Sequence, residues 1–166
     1  QLTSLDVNNN TALTYLRCEY NSLTSLDVSF TALSDLYCFN NQITYLNLDS
    51  TNLSSITLDM IGNNQINHLS ASNMDSLTII DYNNTHNAWV AGLSTLLLNN
   101  NPLLNTVICY GNTLTTLDIN QSPSLIFLDY SYNQIASLDI SSNIALNYLD
   151  CGNNFLTSLD VSNNTA

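Results

Sequence analysis

The side chains best suited to chemistry recur at fixed intervals. Cys18, Cys38, Cys109 and Cys151 occupy one repeating position, where Leu58, Tyr82 and Tyr130 stand at the intervening points. No Cys-x-x-Cys pair occurs, and neither His68 nor His86 falls beside a cysteine in the pattern. A thiolate metal site is therefore not supported. Cys109 and Cys151 are two intervals apart, beyond disulfide reach. Cys18 and Cys38 are one interval apart, but their side chains point the same way. The four are read as buried thiols that act as small hydrophobes.

A second column is acidic. Asp6, Asp27, Asp118, Asp139 and Asp160 share one position, with Asn47, Ser70 and Leu97 completing it. The position faces outward, and carboxylates about 5 Å apart repel by roughly 1 kcal/mol each in water. Thr and Ser neighbours, water or a bound cation would have to accommodate that. Calcium takes roughly six to eight oxygen ligands, and a single column is not such a cage. Weak surface Ca²⁺ binding at Asp118, Asp139 and Asp160 is the one cofactor reading; otherwise no cofactor or metal centre is expected. General acid–base work would need a cleft that separates two pKa values. No Ser/His/Asp or Cys/His set and no Gly-rich phosphate loop occurs, so the chain reads as a non-enzyme.

The third group is aromatic. Tyr15, Tyr37, Phe39, Tyr110 and Tyr132 fall at outward positions, among Arg17, Glu19, Tyr20, Asp81, Phe127, Asp129, Tyr148 and Asp150. The core does not need them there. Tyr and Phe mixed with acids suit recognition surfaces, and they suit stacking on sugar rings. The competing reading is cross-strand packing that shields a sheet. Trp89, the single tryptophan, lies in an insertion, Thr85–Gly92, paired with a second at Asp59–Gly62. Both should protrude from one edge, where repeat proteins often bind; as an alternative, Trp89 plugs a widened repeat. Tyr15, Tyr37, Phe39, Tyr110, Tyr132 and Trp89 are the candidate binding residues.

What positions these groups is a repeat. Leu13, Leu16, Cys18, Asn21, Leu23, Leu26 and Val28 return as Leu33, Leu36, Cys38, Asn41, Ile43, Leu46 and Leu48, and again from Leu104, Leu125 and Leu146. The period is 20 or 21 residues, stretched in the two units that begin at Leu53 and Leu77. About 7.5 repeats of 20–27 residues fill the chain, a single domain over 1–166. Each half-unit ends in an alternating apolar pattern, the mark of a short strand with one buried face. So short a unit cannot enclose a core alone and must stack on its neighbours. Asn21, Asn41, Asn64, Asn112, Asn133 and Asn154 sit at an inward turn, where an amide can bond backbone groups of its own rung and the next. Neither end carries a polar cap, so the chain reads as a segment of a longer array, or as one whose ends pair with other chains.

Composition narrows the partners. Thirteen acidic residues face one basic residue, for a net charge of −12. Nucleic acid is disfavoured because phosphate binding needs Lys and Arg, and so is an anionic membrane surface. No apolar run is long enough to span a bilayer. The Asn-x-Ser/Thr sites at Asn9, Asn52, Asn83, Asn120 and Asn163 are what chance gives in so Asn-, Ser- and Thr-rich a chain, and they matter only in a eukaryotic secretory host.

The pattern L-x-x-L-x-(L/C)-x-x-N-x-(L/I) matches the leucine-rich-repeat consensus throughout. With the second half, L-T-S-L-D-(V/I), the chain resembles the nested 21-residue class of bacterial leucine-rich repeats, called IRREKO. The resemblance implies an α/β leucine-rich-repeat solenoid, mostly β with little or no helix and with strands on both broad sides. It also implies an extracellular or bacterial cell-surface protein engaged in adhesion or recognition of a protein or glycan, and no catalytic site. The alternative is a structural spacer or self-assembling stalk or surface-layer unit with end-to-end self-association. An ice- or mineral-binding face ranks below both, because Ser54, Asn67, Ser94 and Ala136 interrupt its threonine column.

Overall fold

The computed structural model describes residues 1–57, 65–82 and 92–166. Strands of three residues, all parallel, build two columns. The first column holds β1 (Tyr15–Arg17), β3 (Asp35–Tyr37), β5 (Ser55–Thr57), β7 (Ile79–Asp81), β9 (Thr106–Ile108), β10 (Phe127–Asp129) and β11 (Tyr148–Asp150). The second holds β2 (Ser25–Asp27), β4 (Tyr45–Asn47), β6 (His68–Ser70) and β8 (Thr95–Leu97). No helix occurs among the described residues. The fold is a parallel β-solenoid. The inserted residues apart from Gly92, with Trp89, His86, Asn64 and Leu58 among them or beside them, lie outside the described residues.

The repeat sets the register directly. Leu16 pairs with Leu36, Ile56 with Ile80, and Val107 with Leu128, which in turn pairs with Leu149. Because side chains alternate across a strand, the middle residue of each faces inward and its two neighbours face out. Leu36, Ile56, Ile80, Val107 and Leu128 are accordingly buried in one continuous core with Leu26, Leu46, Leu69 and Leu96 from the other side. Each buried side chain of this size contributes about 1.5–3 kcal/mol. The second side forms strands only as far as β8. Beyond it Leu117, Ile119 and Ile140 keep the inward burial without strand pairing.

The asparagine ladder bonds as expected, with the preceding rung as the neighbour. Asn133 Nδ2 donates to the carbonyls of Tyr130 and Ser131 in its own rung and of Cys109 in the rung before, and its Oδ1 accepts from Leu114 N–H at 3.0 Å. Asn41 and Asn112 make the same set. A second ladder lies on the opposite edge. Asn101, Asn143 and Asn164 each donate to a carbonyl of the preceding rung, Ala71, Ile119 and Ile140 respectively. Thr31 and Thr51 replace them earlier in the chain with hydroxyl bonds to Val28 and Leu48.

Among the described residues, the first column is interrupted once. β1 and β3 form one sheet, while β5, β7, β9, β10 and β11 form another, and no strand pairing joins β3 to β5. The second column runs unbroken past this level through β2, β4, β6 and β8.

Candidate functional site

The candidate aromatic residues divide between two surfaces. Tyr15 and Tyr37 stand on the exposed strand face, with ring centroids 6.0 Å apart and tilted by 51°. The Arg17 guanidinium carbon lies 5.6 Å from the Tyr37 ring centroid, a cation–π distance. Arg17 also donates from Nε to Glu19 Oε1 at 2.8 Å. This pair holds the guanidinium above and the Glu19 carboxyl below its ordinary pKa range, chiefly through the side-chain hydrogen bond. Farther along the same face Phe127 and Tyr148 stack in parallel at 4.0 Å.

Phe39, Tyr110 and Tyr132 belong instead to the turn that follows the first-column strand. Phe39 and Tyr110 are half-buried, and Phe39 receives the edge of Tyr20 at 5.4 Å. Tyr132 is 62% exposed and Tyr20 68% exposed. Both adopt a left-handed backbone, with φ of 54° and 57°. The same turn position is filled by Asn40, Gly111 and Asn153 in other rungs. Those residue types enter that region easily, whereas a bulky side chain is strained there. Phe30 repeats the arrangement on the opposite edge, at φ 60° and 71% exposed. Sequence reasoning did not single out Phe30, nor the Tyr45–His68 stack at 4.8 Å on the second sheet. Alignment of Phe30 with Ser50, Asn73 and Asn100 is the signal that marks it.

The carboxylate column is a set of turn formers. Asp27, Asp118, Asp139 and Asp160 each accept, through Oδ1, the backbone N–H two residues on, at 2.9–3.1 Å. Asp6 does the same with Asn8, and Asn47 does it without a charge. Such side-chain-to-backbone bonds define Asx turns. The repulsion expected from the sequence is met by these N–H donors. Ser141, through its hydroxyl and its N–H, holds the Asp139 carboxyl below its usual range, and the Ser162 N–H and hydroxyl do the same for Asp160. Among the described residues no three His, Cys, Asp or Glu side chains converge where a metal ion could sit.

The four cysteines are thiols, and Cys18, Cys38 and Cys109 are buried. Burial, with the Glu19 charge adding to it, pushes Cys18 up to about 11, and burial takes Cys109 up to about 12. Burial, then Cys18, raises Cys38. Thiols so disposed are poor nucleophiles and metal ligands at neutral pH. Tyr130 fills the column between Cys109 and Cys151 and is fully buried, its hydroxyl lacking a hydrogen-bond partner of ordinary geometry.

The chain is similar to the functional domain of InlJ from Listeria monocytogenes. That domain includes a cysteine ladder. The two share 32% identity at a TM-score of 0.50, over 98% of this chain and 35% of that one. The chain thus spans about a third of the InlJ domain. No protein-family model matches the chain, and no curated protein matches it.

Proposed function

We propose that the protein is an extracellular or bacterial cell-surface recognition module that binds a protein or glycan through its outward aromatic residues. One observation carries the reading. Tyr132 and Tyr20 hold exposed rings at left-handed positions that Asn or Gly fills in neighbouring rungs. Neither burial nor backbone preference favours a ring there, and strain of this kind is retained where a function uses it. Tyr15 and Tyr37 add an aromatic platform on the adjoining strand face, with Phe39 and Tyr110 on the turn between. The similarity to InlJ supports a bacterial surface setting, and the cysteine column of this chain is read as a structural counterpart of the ladder in that domain. The long polar columns of Asn, Ser and Thr suit hydrogen bonding to a neutral partner, and the net charge of −12 disfavours an anionic one.

The test is a binding screen against glycans and bacterial or host surface proteins, with Tyr37→Ala, Tyr110→Ala and Tyr132→Asn measured beside the parent chain. A genuine partner loses at least about tenfold in affinity in one or more variants, in the range of interface anchors, while Tyr37→Ala and Tyr110→Ala keep the parent melting temperature. A melting loss that matches the loss of binding would make those rings structural and end the recognition reading for them.

A further inference from the structure

The break between β3 and β5 leaves two strand edges facing each other across a cleft. Asp35 N–H is spent on the Thr14 carbonyl, and the Tyr37 carbonyl accepts from Cys18 N–H. Asp35 and Tyr37 therefore turn their backbone groups toward β1. Backbone direction alternates along a strand in a parallel sheet, so Leu36 turns its N–H and C=O the other way, toward β5. On the far side the Ser54 carbonyl is taken by Thr78 N–H of the next rung. Ser55 and Thr57 consequently present their backbone groups back toward β3. Among the described residues, every other junction in the first column closes such groups in a ladder and this one does not. The cleft between the two edges measures about 400 Å³ and is lined by the small side chains of Ser34, Ser54, Ser55 and Thr57, with Asp35 and Tyr37.

We infer that this cleft is the seat of an extended peptide segment of a partner protein, which pairs with β3, β5 or both as an added parallel strand. Three features favour a strand over another ligand. The donors and acceptors on both walls are main-chain groups at strand spacing, which an extended backbone matches and a sugar does not. The lining residues are short, so the backbone edges are open to approach. The unbroken β4–β6 pairing behind the cleft holds the two rungs together while the front stays open. Asp35 gives the walls a negative charge, its Oδ2 accepting from Ser34 Oγ at 2.8 Å, so a segment carrying Lys or Arg fits best. The proposal rests on the recognition reading for the existence of a partner and adds where a strand of that partner lies.

The experiment uses the whole chain and a displayed library of random twelve-residue peptides. Amide exchange of the protein alone comes first. The amides of Leu36, Ser55 and Thr57 exchange at least tenfold faster than those of Val107 and Leu128 in the closed part of the column. Equal protection at both places overturns the proposal. Peptides selected by the protein then slow exchange at Leu36, Ser55 and Thr57; an empty selection, or protection elsewhere, overturns it. A double variant, Asp35→Cys with Ser55→Cys, places thiols at register-equivalent positions across the cleft. Oxidation by diamide draws the edges together, and peptide affinity falls at least tenfold, returning when dithiothreitol reopens the bond. Affinity unchanged by closure overturns the seat, as does a neutral oligosaccharide, and no peptide, that binds in a closure-sensitive way. A partner that Tyr110→Ala releases but closure does not also refutes the seat, and it leaves the recognition reading standing.

Discussion

At the scale of single residues, the asparagine amide ties each turn to the rung before it. Asn133 bonds carbonyls of two rungs and one N–H from a buried position in the turn. Asn133→Ala leaves the three carbonyls their second donors, Asn112 Nδ2 on Cys109, Asn154 Nδ2 on Tyr130 and Gly111 N–H on Ser131. It orphans the buried Leu114 N–H, and such an orphan costs about 1–3 kcal/mol. We expect a loss of about 2 kcal/mol, a fall of roughly 4–8 °C in melting temperature for a domain of this size. Asn133→Asp should lose a similar amount for another reason, because its buried carboxylate keeps the Leu114 N–H but is set against the carbonyl oxygens of Cys109, Tyr130 and Ser131; a melting curve for each variant checks this. Tyr132 calls for the opposite change. Tyr132→Asn removes a left-handed strain on the order of 1 kcal/mol, so the variant should melt about 2–4 °C higher while its partner binding falls. A lower melting temperature would show that the exposed ring packs in a way that stabilises the turn. The first asparagine column was legible because it recurs as the same residue in almost every unit. The second was not, because Thr31, Thr51, Met74 and Ser122 share its position with Asn10, Asn101, Asn143 and Asn164, so only half of the column shows the amide.

At the scale of elements, turns decide what the acidic positions are for. Asp129 Oδ1 accepts both the N–H and the hydroxyl of Ser131, at 3.0 and 2.7 Å, just past the end of β10. Its register partner on β11 is Asp150, which makes the same turn with Gly152. Two like charges side by side on a sheet destabilise it, whereas the acceptor oxygen is needed. Asp129→Asn keeps the acceptor and removes the repulsion; Asp129→Ala loses both. The alanine variant should lose about 1 kcal/mol, the net value of such a bond, and the asparagine variant should equal or exceed the parent. Denaturant midpoints at constant slope would separate them. Asn47 already shows that the neutral amide serves in the equivalent second-column turn. From sequence the acids looked like a free outward column, since alternation gives the direction of a side chain and not its bond to the following turn. The break between β3 and β5 was equally invisible. Leu36 and Ile56 fit the apolar pattern without fault, and the pattern specifies inward faces while leaving strand pairing open. The division of the aromatic candidates between a strand face and a turn edge escaped the sequence for the same reason.

At the scale of the molecule, periodicity fixed the solenoid and composition fixed its electrostatics. Stacked inward leucines make the parallel column almost unavoidable once the period is seen, because no single unit can close a core. The charge balance then poses a question that the fold alone does not answer, since thirteen acids share the surface with one arginine. Two effects oppose each other on acidification. Protonation relieves repulsion across the whole surface. It also weakens the charge-assisted turn bonds, which are about twice as strong as neutral ones. Asp139 and Asp160 titrate below their usual range because Ser141 and Ser162 bond the charged form. Folding is therefore favoured by their ionisation. The gain is complete above the unfolded carboxylate value of about 3.9 and is lost as pH falls through the lower folded values. We expect the melting temperature at pH 7 to rise between about 10 mM and 150 mM NaCl, where the screening length shrinks from roughly 30 to 8 Å. It should then fall as pH drops from about 4 toward 2. The triple variant Asp118→Asn, Asp139→Asn, Asp160→Asn separates the two effects, because amide oxygens accept the same N–H and do not titrate. Its melting temperature should depend less on salt and stay flatter in acid than that of the parent. A variant that follows the parent curve through acid would mean that these carboxylates act as surface charge alone and that the turns stand without them.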